Sequence, residues 1–205
     1  AMPAQASAQL MTDERVWVGL TLQERSGTSS AWRWQVETQL RTRDGVDEVD
    51  LFAVRPIVGY DLTRKSSIWL GYAETPTFPA SGGVRQEHRL YQQYVWASRV
   101  HAGNLSVRGR IEERAIENNS GLAWRIRGLI RYTRPVTAGS HTSLVFSDEV
   151  TAHLRQTTIT VKGFDQHRIF AGISQAFSAT VRLETGYLNR LINGHTLPDR
   201  MDHVL

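Results

Sequence analysis

Seven histidines and the carboxylates around them are the side chains of this chain that could carry acid–base or metal chemistry. Ser147, Glu149 and His153 lie close together in the sequence and have the residue types of a serine hydrolase triad. A triad is defined by its geometry, and a local triplet of this kind arises readily by chance. The sequence also lacks a His-Glu-x-x-His motif, a P-loop and a Gly-x-Gly-x-x-Gly motif. We therefore predict no catalytic residue, no metal site and no cofactor.

The cations of this chain are almost all arginines. The 205 residues include 24 basic and 20 acidic side chains, for a net charge of +4, and Lys65 and Lys162 are the two lysines. A guanidinium is a planar fork that suits fixed, desolvated charge networks better than the mobile ammonium of lysine does. Cysteine is absent, which excludes disulfides, thiolate nucleophiles and metal centres held by cysteine. The composition therefore predicts a structured network of arginines.

Two-residue alternation of apolar and polar residues, typical of β-strands, begins at Arg15 and continues to the end of the chain. In the clearest stretch, Leu105 and Val107 share one face of a strand while Arg108 and Arg110 share the other. The pattern predicts strands at about 15–23, 32–41, 52–62, 68–73, 86–98, 104–117, 122–132, 164–177 and 180–192, another starting at 144, and the opening of a last one at 202–205.

Turn-forming residues such as Asp44-Gly45 and Asn193-Gly194 separate these strands, and no spacer is long enough for a crossover helix. Hairpin after hairpin of long strands predicts an all-β fold: an antiparallel up-and-down transmembrane β-barrel of 10–12 strands, with 12 favoured, around a narrow polar lumen. The runs do not give an even count. Either residues 5–12 pair as a strand or one of the runs is not a strand.

Residues 1–12 are predicted to be a flexible N-terminal segment of an exported protein, because their small polar residues resemble those around a signal-peptide cleavage site. Residues 13–205 are predicted to be a single barrel domain with an incomplete last strand. No stretch approaches the roughly 20 apolar residues that a spanning helix needs. The predicted location is the bacterial outer membrane, after cleavage of the signal peptide.

Alternation alone does not say which face of the barrel meets water. A soluble lipid-binding barrel would turn its apolar face inward, whereas a membrane barrel turns that face to lipid. Long strands, arginine-rich polar faces and aromatic residues near strand ends favour the membrane barrel. The predicted partners are outer-membrane lipid and lipopolysaccharide, with other envelope proteins as further candidates. Nucleic acid is not expected, because the aromatics and the arginines occupy opposite faces. The predicted aromatic girdle comprises Trp32, Trp34, Tyr60, Tyr72, Tyr94, Trp96, Tyr132 and Tyr187.

In a membrane barrel the polar face lines the lumen. So many forked cations and carboxylates in a narrow lumen predict cross-linked walls rather than a wide pore, and the excess of positive charge predicts attraction of an anion. For the arginines at strand ends, the alternative prediction is a position outside the lumen, beside lipid phosphates. The predicted lumen charge network comprises Glu87, Arg89, Gln93, Arg108, Arg110, Glu112, Arg114, Arg125, Arg127, Arg168, Arg182 and Glu184, and the same parity adds Arg33, Arg41, Arg55, Arg131, Glu37, Asp61 and Glu149.

Several segments of the chain resemble the DUF2490 family, a group of bacterial proteins of undefined function that are regarded as exported outer-membrane barrels. The similar segments are 68–76, 87–93, 110–114, 164–172, 184–189 and 202–205, so the resemblance runs from about residue 15 to the end. Family members usually continue past the His-Val-Leu segment into a complete last strand, often with a terminal aromatic residue. The family's recurring polar positions match Glu87, Arg89, Gln93, Arg110, Glu112, Arg114, Arg168, Glu184 and Asn189. The resemblance supports the location and implies little about activity.

The favoured function is a non-enzymatic outer-membrane protein, either a structural or envelope-assembly component or a narrow anion-leaning channel. Two alternatives stay open. One is a membrane-embedded lipid-modifying hydrolase that uses a Ser/His/acid site, and the other is the soluble lipid-binding barrel.

Overall fold

The computed structural model describes residues 11–24, 30–45, 47–79, 81–179, 181–195 and 198–205. These residues form strands and no helix, which confirms the predicted all-β class, and no helix long and apolar enough to cross a membrane occurs among them. The strands are β1 (Met11–Arg15), β2 (Trp17–Gln23), β3 (Trp32–Arg43), β4 (Glu48–Asp61), β5 (Ser66–Glu74), β6 (Glu87–Val100), β7 (Gly103–Ile116), β8 (Ala123–Pro135), β9 (Thr142–His153), β10 (Gly163–Ala176), β11 (Val181–Ile192) and β12 (Arg200–Val204).

The strands from β2 to β11 form a closed, ten-stranded antiparallel barrel. Each pairs with the strands that precede and follow it in the chain, and β11 returns to β2 through the pairs Val181↔Leu22 and Arg182↔Thr21. Tight turns make this order possible. The connection between β6 and β7, for example, has two residues, and His101 adopts a positive φ of 51° there. The predicted up-and-down barrel is confirmed, and ten strands close it instead of the favoured twelve.

The two short strands β1 and β12 complete the wall at the end of the barrel where the chain begins. β12 pairs antiparallel with the last five residues of β11, and β1 pairs parallel with β12. The parallel pair departs from the purely antiparallel prediction. It arises because β1 continues into β2 after Val16, and both β2 and β12 run opposite to β11. The strand considered for residues 5–12 thus begins at Met11, and residues 1–10 lie outside the described residues.

Strand register turns charged side chains inward and apolar side chains outward. Glu112 on the inner face of β7 is 1% exposed, whereas Leu70 and Ile130 on the outer face are 55% and 56% exposed. This arrangement inverts the usual distribution, in which large apolar side chains are buried and carboxylates are exposed. The barrel interior is therefore the place to look for a functional site.

A small apolar layer lines the interior on β4, β5 and β6. Two rings of this layer, Trp69 and Tyr91, lie flat against glycines of neighbouring strands, Gly59 and Gly71. A Cβ at Gly71 would lie 2.3 Å from the Tyr91 ring, and one at Gly59 would lie 2.4 Å from the Trp69 ring. Glycine is required at both positions because the ring occupies the space of a side chain.

Candidate functional site: the charged barrel interior

The Glu149 cluster consists of Glu149 and the three arginines that bind it, Arg108, Arg127 and Arg168. Its carboxylate on β9 accepts hydrogen bonds from Arg108 Nη2 at 2.7 Å, Arg127 Nη2 at 2.6 Å and Arg168 Nη1 at 3.2 Å. The arginines come from β7, β8 and β10, so one buried carboxylate links four consecutive strands. Charge-assisted bonds of this kind are stronger than neutral ones, and their role here is to cross-link the wall.

A second buried carboxylate, Glu112 on β7, is joined to the first through Arg127. Arg125 donates to Glu112 from Nη2 at 2.5 Å and from Nε at 2.8 Å, and Arg127 Nη1 donates at 2.9 Å. Arg110 Nη1 lies 3.5 Å from the same carboxylate. Because Arg127 donates to both Glu112 and Glu149, the two acidic centres and their arginines form one continuous network.

The network continues on β6 and β7 with bidentate pairs. The Glu87 carboxylate accepts from Arg89 Nε at 2.6 Å and from Arg114 Nε at 2.5 Å, and each arginine also donates an Nη2 hydrogen bond to the second oxygen. Gln93 Oε1 accepts from Arg110 Nη2 at 2.7 Å, and the Arg110 guanidinium lies 4.2 Å above the Tyr91 ring. Each of these cations is therefore held in a fixed position.

One ion pair crosses the lumen instead of following the wall. Arg131 on β8 donates to Glu184 on β11 from Nη1 at 3.0 Å and also from Nη2. β9 and β10 lie between these two strands in the sheet, so the pair spans the interior. The barrel is narrow enough at this level for two side chains to meet across it.

The residues predicted for the lumen charge network all lie on the inner face by strand register. The structure brings eleven of them into the contacts given above. Arg182, by contrast, is exposed at the closure between β11 and β2, and no carboxylate of the described residues lies within 4 Å of it. Asn189, a recurring family position, points outward beside His203.

Sequence reasoning missed a further charged group, which joins β1 and β12 to the barrel. Asp202 is fully buried and accepts hydrogen bonds from Arg190 Nε, at 2.7 Å, and from its Nη2. Arg15 Nε lies 3.4 Å from the same carboxylate, and Arg15 Nη1 donates to Asp50 at 2.8 Å. β1 and β12 have five residues each, which is too short for alternation to indicate which side chains meet. The pairing of Arg190 with Asp202 follows only from their register.

The predicted girdle residues lie on the outer face. Trp96 and Tyr132 are half-buried there, while the other six are exposed. Trp32, Tyr60 and Tyr94 fall in one row across β3 to β6, and Trp32 packs edge to face on Tyr60 at 5.2 Å. Trp32 and Tyr60 lie at the ends of β3 and β4, whereas Tyr94 lies in the middle of β6. Tyr72 and Tyr187 lie away from this row, and their hydroxyls hydrogen-bond to His88 Nδ1 at 2.6 Å and to His203 Nδ1 at 2.5 Å.

The structure does not assemble the candidate hydrolase triad. Ser147 and His153 are six residues apart on the straight strand β9, or roughly 20 Å. His153 Nε2 instead faces Asp165 at 3.4 Å, and Glu149 is occupied by three arginines. No hydrogen bond joins a histidine to a serine in the part of the chain that the structure describes, and no group of three His, Asp or Glu side chains there could hold a metal ion.

The barrel encloses a cavity of about 710 Å³. Thirteen arginines and four glutamates of the described residues line it. Three of these glutamates, Glu87, Glu149 and Glu184, bind arginines as described above, and the fourth, Glu37, lies 3.6 Å from Arg55. The arginines that line the cavity outnumber these carboxylates. The interior is thus both cross-linked and positively charged.

A closed β-barrel with a charged interior and an apolar outer face is the class of protein that these observations define. The model of the family described as "Protein of unknown function (DUF2490)" matches residues 14–202, and the chain belongs to this family. A relative from Methylorubrum extorquens, described as an uncharacterized protein, is 28% identical over 208 residues, and the match covers 100% of this chain and 90% of the relative. Neither description names an activity, so the function has to be argued from the geometry.

Proposed function

We propose that this protein is a non-enzymatic β-barrel of the bacterial outer membrane whose narrow interior favours anions. The observation that carries the proposal is the inverted surface. Leu70, Ile130 and Val18 are all more than half exposed on the outer face, while the glutamates and arginines of the interior are buried. Soluble monomers rarely expose apolar patches larger than a few hundred Å². Lipid is the environment in which this outer face is stable.

The dimensions of the barrel support a membrane location. Strands β4, β6, β7 and β10 have 14 residues each. At a rise of about 3.3 Å per residue and a tilt near 40°, such a strand spans roughly 35 Å, which exceeds the apolar band of about 25 Å in outer-membrane barrels. The pair of Trp32 and Tyr60, at the ends of β3 and β4, then lies at one lipid–water interface, where aromatic rings contact lipid headgroups. The proposed partners are accordingly outer-membrane lipid and lipopolysaccharide.

Membrane fractionation and gel mobility test this location. Cells that express the chain behind an export signal should hold it in the outer-membrane fraction. The unboiled sample in detergent should migrate faster than the boiled sample, because a closed barrel resists unfolding by detergent. A protein that stays in solution without detergent would contradict the proposal and would favour the soluble lipid-binding barrel.

The interior supports an anion-leaning passage. Thirteen arginines and four glutamates of the described residues line the cavity, and a positive surface with low-dielectric walls raises the local concentration of anions. Reconstitution in a planar bilayer with about a tenfold KCl gradient measures the selectivity. We expect a small conductance whose reversal potential is shifted from zero toward the equilibrium potential of chloride. A cation-selective conductance would contradict the proposed interior.

A structural role in the envelope is the second candidate, and the cross-lumen pair of Arg131 and Glu184 favours it. This pair and the Glu149 cluster tie together walls that a wide channel would leave apart. If the barrel is folded and heat-modifiable but shows no conductance in the bilayer, the charge network of the interior serves stability alone. The protein would then act as a scaffold, with other envelope proteins as its partners.

A further inference from the structure

Arg41 on β3 differs from the other deeply buried arginines of the described residues. Those others, Arg15, Arg110, Arg114, Arg125 and Arg190, each have a carboxylate within 4 Å. Arg41 is 9% exposed and has none among the described residues. Its Nη2 donates to Gln39 Oε1 at 2.8 Å, and its Nε is buried without a hydrogen-bond acceptor.

The Trp17 cluster, which consists of Trp17, Arg41, Arg168 and Arg190, places three guanidinium groups around one indole ring. The central carbons of Arg41, Arg190 and Arg168 lie 3.8, 5.0 and 5.5 Å from the centre of the Trp17 ring. The ring attracts each cation, but the cations repel one another. The charged groups that act most strongly on Arg41 are all arginines: Arg168, Arg190, Arg55 and Arg89.

The partners of Arg168 and Arg190 leave some of their N–H groups available. Arg168 donates to Gln166 and to Glu149, and Arg190 donates to Asp202. A guanidinium has five N–H donors, so each of these side chains keeps donors for another acceptor. Trp17, Arg41, Arg168 and Arg190 all line the same cavity of about 710 Å³, which has room for a ligand.

We propose that Arg41, Arg168 and Arg190 form a binding site for a phosphate group inside the barrel. A doubly charged tetrahedral oxyanion supplies acceptors to several forked donors at once and offsets the mutual repulsion of the three cations. Unpaired buried cations are costly, and an anion at this position removes the cost. The inference deepens the proposed function, because it names the anion class for which the positive interior is built.

Equilibrium dialysis of the purified full chain in detergent against radiolabelled inorganic phosphate, with chloride in excess, tests the site. The wild-type protein should bind phosphate saturably at one site per chain. Arg41→Gln should weaken this binding at least about tenfold, and Arg41→Lys should weaken it less, since the charge is kept while the fork is lost. Arg182→Gln is the matched control, because Arg182 is another lumen arginine without a carboxylate, and it should change the binding less than about twofold.

Equal phosphate affinity in the wild type and in Arg41→Gln would overturn the proposed site, as would the absence of saturable binding at millimolar phosphate. Heat modifiability of each variant shows that it is folded, and Arg41→Gln breaks no ion pair of the described residues. Fractionation separates the two proposals. If the protein is a membrane barrel but does not bind phosphate, only the proposed phosphate site is contradicted. If it is soluble and binds phosphate, only the proposed membrane location is contradicted.

The source of the phosphate group is tested by competition in the same dialysis. A small sugar phosphate should displace the labelled phosphate, because the site opens into the aqueous cavity. Micelles that contain phosphatidic acid should not displace it. Displacement by phosphatidic acid alone would assign the site to a lipid headgroup and would overturn its placement in the lumen.

Discussion

The Glu149 cluster and the Trp17 cluster share Arg168, but the Trp17 cluster also contains Arg41, which has no carboxylate partner among the described residues. Around Glu149, one carboxylate holds three cations from three strands at 2.6–3.2 Å. Around Trp17, Arg41 has an aromatic ring and an amide oxygen as its partners, with no carboxylate of the described residues within reach. The same residue type therefore serves two purposes in one barrel: paired arginines tie strands together, and an unpaired arginine is available to an outside anion. Removal of a charge from a paired arginine or its carboxylate should therefore lower the free energy of unfolding, whereas removal of the Arg41 charge should not.

The largest effect is expected from Glu112→Gln. The carboxylate is buried, and its loss leaves Arg125 and Arg127 without compensation on one side. Breaking a buried ion pair in this way costs about 3–5 kcal/mol. Denaturant unfolding of the refolded barrel should show a decrease of this size in the free energy of unfolding. Glu113→Gln, at the adjacent outward position of β7, is the control and should cost less than about 1 kcal/mol.

Ile130→Arg tests the outer face. A cation on the lipid side of a barrel costs about 2–4 kcal/mol at the membrane centre and about 0–1 kcal/mol near the interface. Unfolding in lipid vesicles should therefore show a loss of about 2–4 kcal/mol for Ile130→Arg and little loss for Ser98→Arg, near the end of β6. Since Ile130 is 56% exposed, a protein whose outer face met water would tolerate both substitutions equally, and that result would contradict the lipid-facing assignment.

Glu184→Gln should have a smaller effect, of about 1 kcal/mol, because the ion pair with Arg131 is only partly buried. A double-mutant cycle with Arg131→Gln measures the coupling free energy directly. A coupling near zero would mean that this cross-lumen pair does not join the walls in the folded barrel. The same variant should shift the reversal potential further toward chloride, since it removes a negative charge from the cavity.

Arg41→Gln should have the smallest effect on the free energy of unfolding. Unlike the three preceding substitutions, it should not destabilise the protein. No ion pair of the described residues is broken, and one cation is removed from the Trp17 cluster, so the free energy of unfolding should stay unchanged or rise by up to about 1 kcal/mol. Arg125→Gln is the matched comparison, because it removes a cation that Glu112 needs. If both variants lost the same stability, the distinction between arginines that are paired with a carboxylate and Arg41 would be wrong.

Much of the barrel follows from two-residue alternation. The pattern separates the inner Arg108 and Arg110 from the outer Leu105 and Val107, because a strand allows only two side-chain directions. Alternation contains no information about which residues meet across the lumen. The pairing of Arg131 with Glu184 depends on strand stagger and barrel width, which one sequence does not specify.

The contact between Asp165 and His153 could not be predicted from the sequence for a different physical reason. Phe164 and Gln166 flank a β-bulge in β10, which shifts the register and brings Asp165 to His153. A bulge inserts one residue and shifts the phase of the alternation, but only Gly163 and Phe164 of β10 precede it, which is too short a stretch for the shift to be recognised. The Trp17 cluster could not be predicted either, because alternation with Val16 and Val18 places Trp17 on the polar face of its strand but does not indicate that arginines from β3, β10 and β11 surround it.

The central claim, that neighbouring side chains on one strand face lipid and lumen in turn, can be tested directly at Leu129 and Ile130. The chain contains no cysteine, so Leu129→Cys and Ile130→Cys each provide a single labelling position. A fluorophore at each position is measured in vesicles whose acyl chains carry a nitroxide quencher. The label at position 130 should be quenched strongly and the label at position 129 weakly, because Leu129 lines the cavity and Ile130 lies on the outer face. Equal quenching, or stronger quenching at position 129, would contradict the arrangement described for the whole barrel.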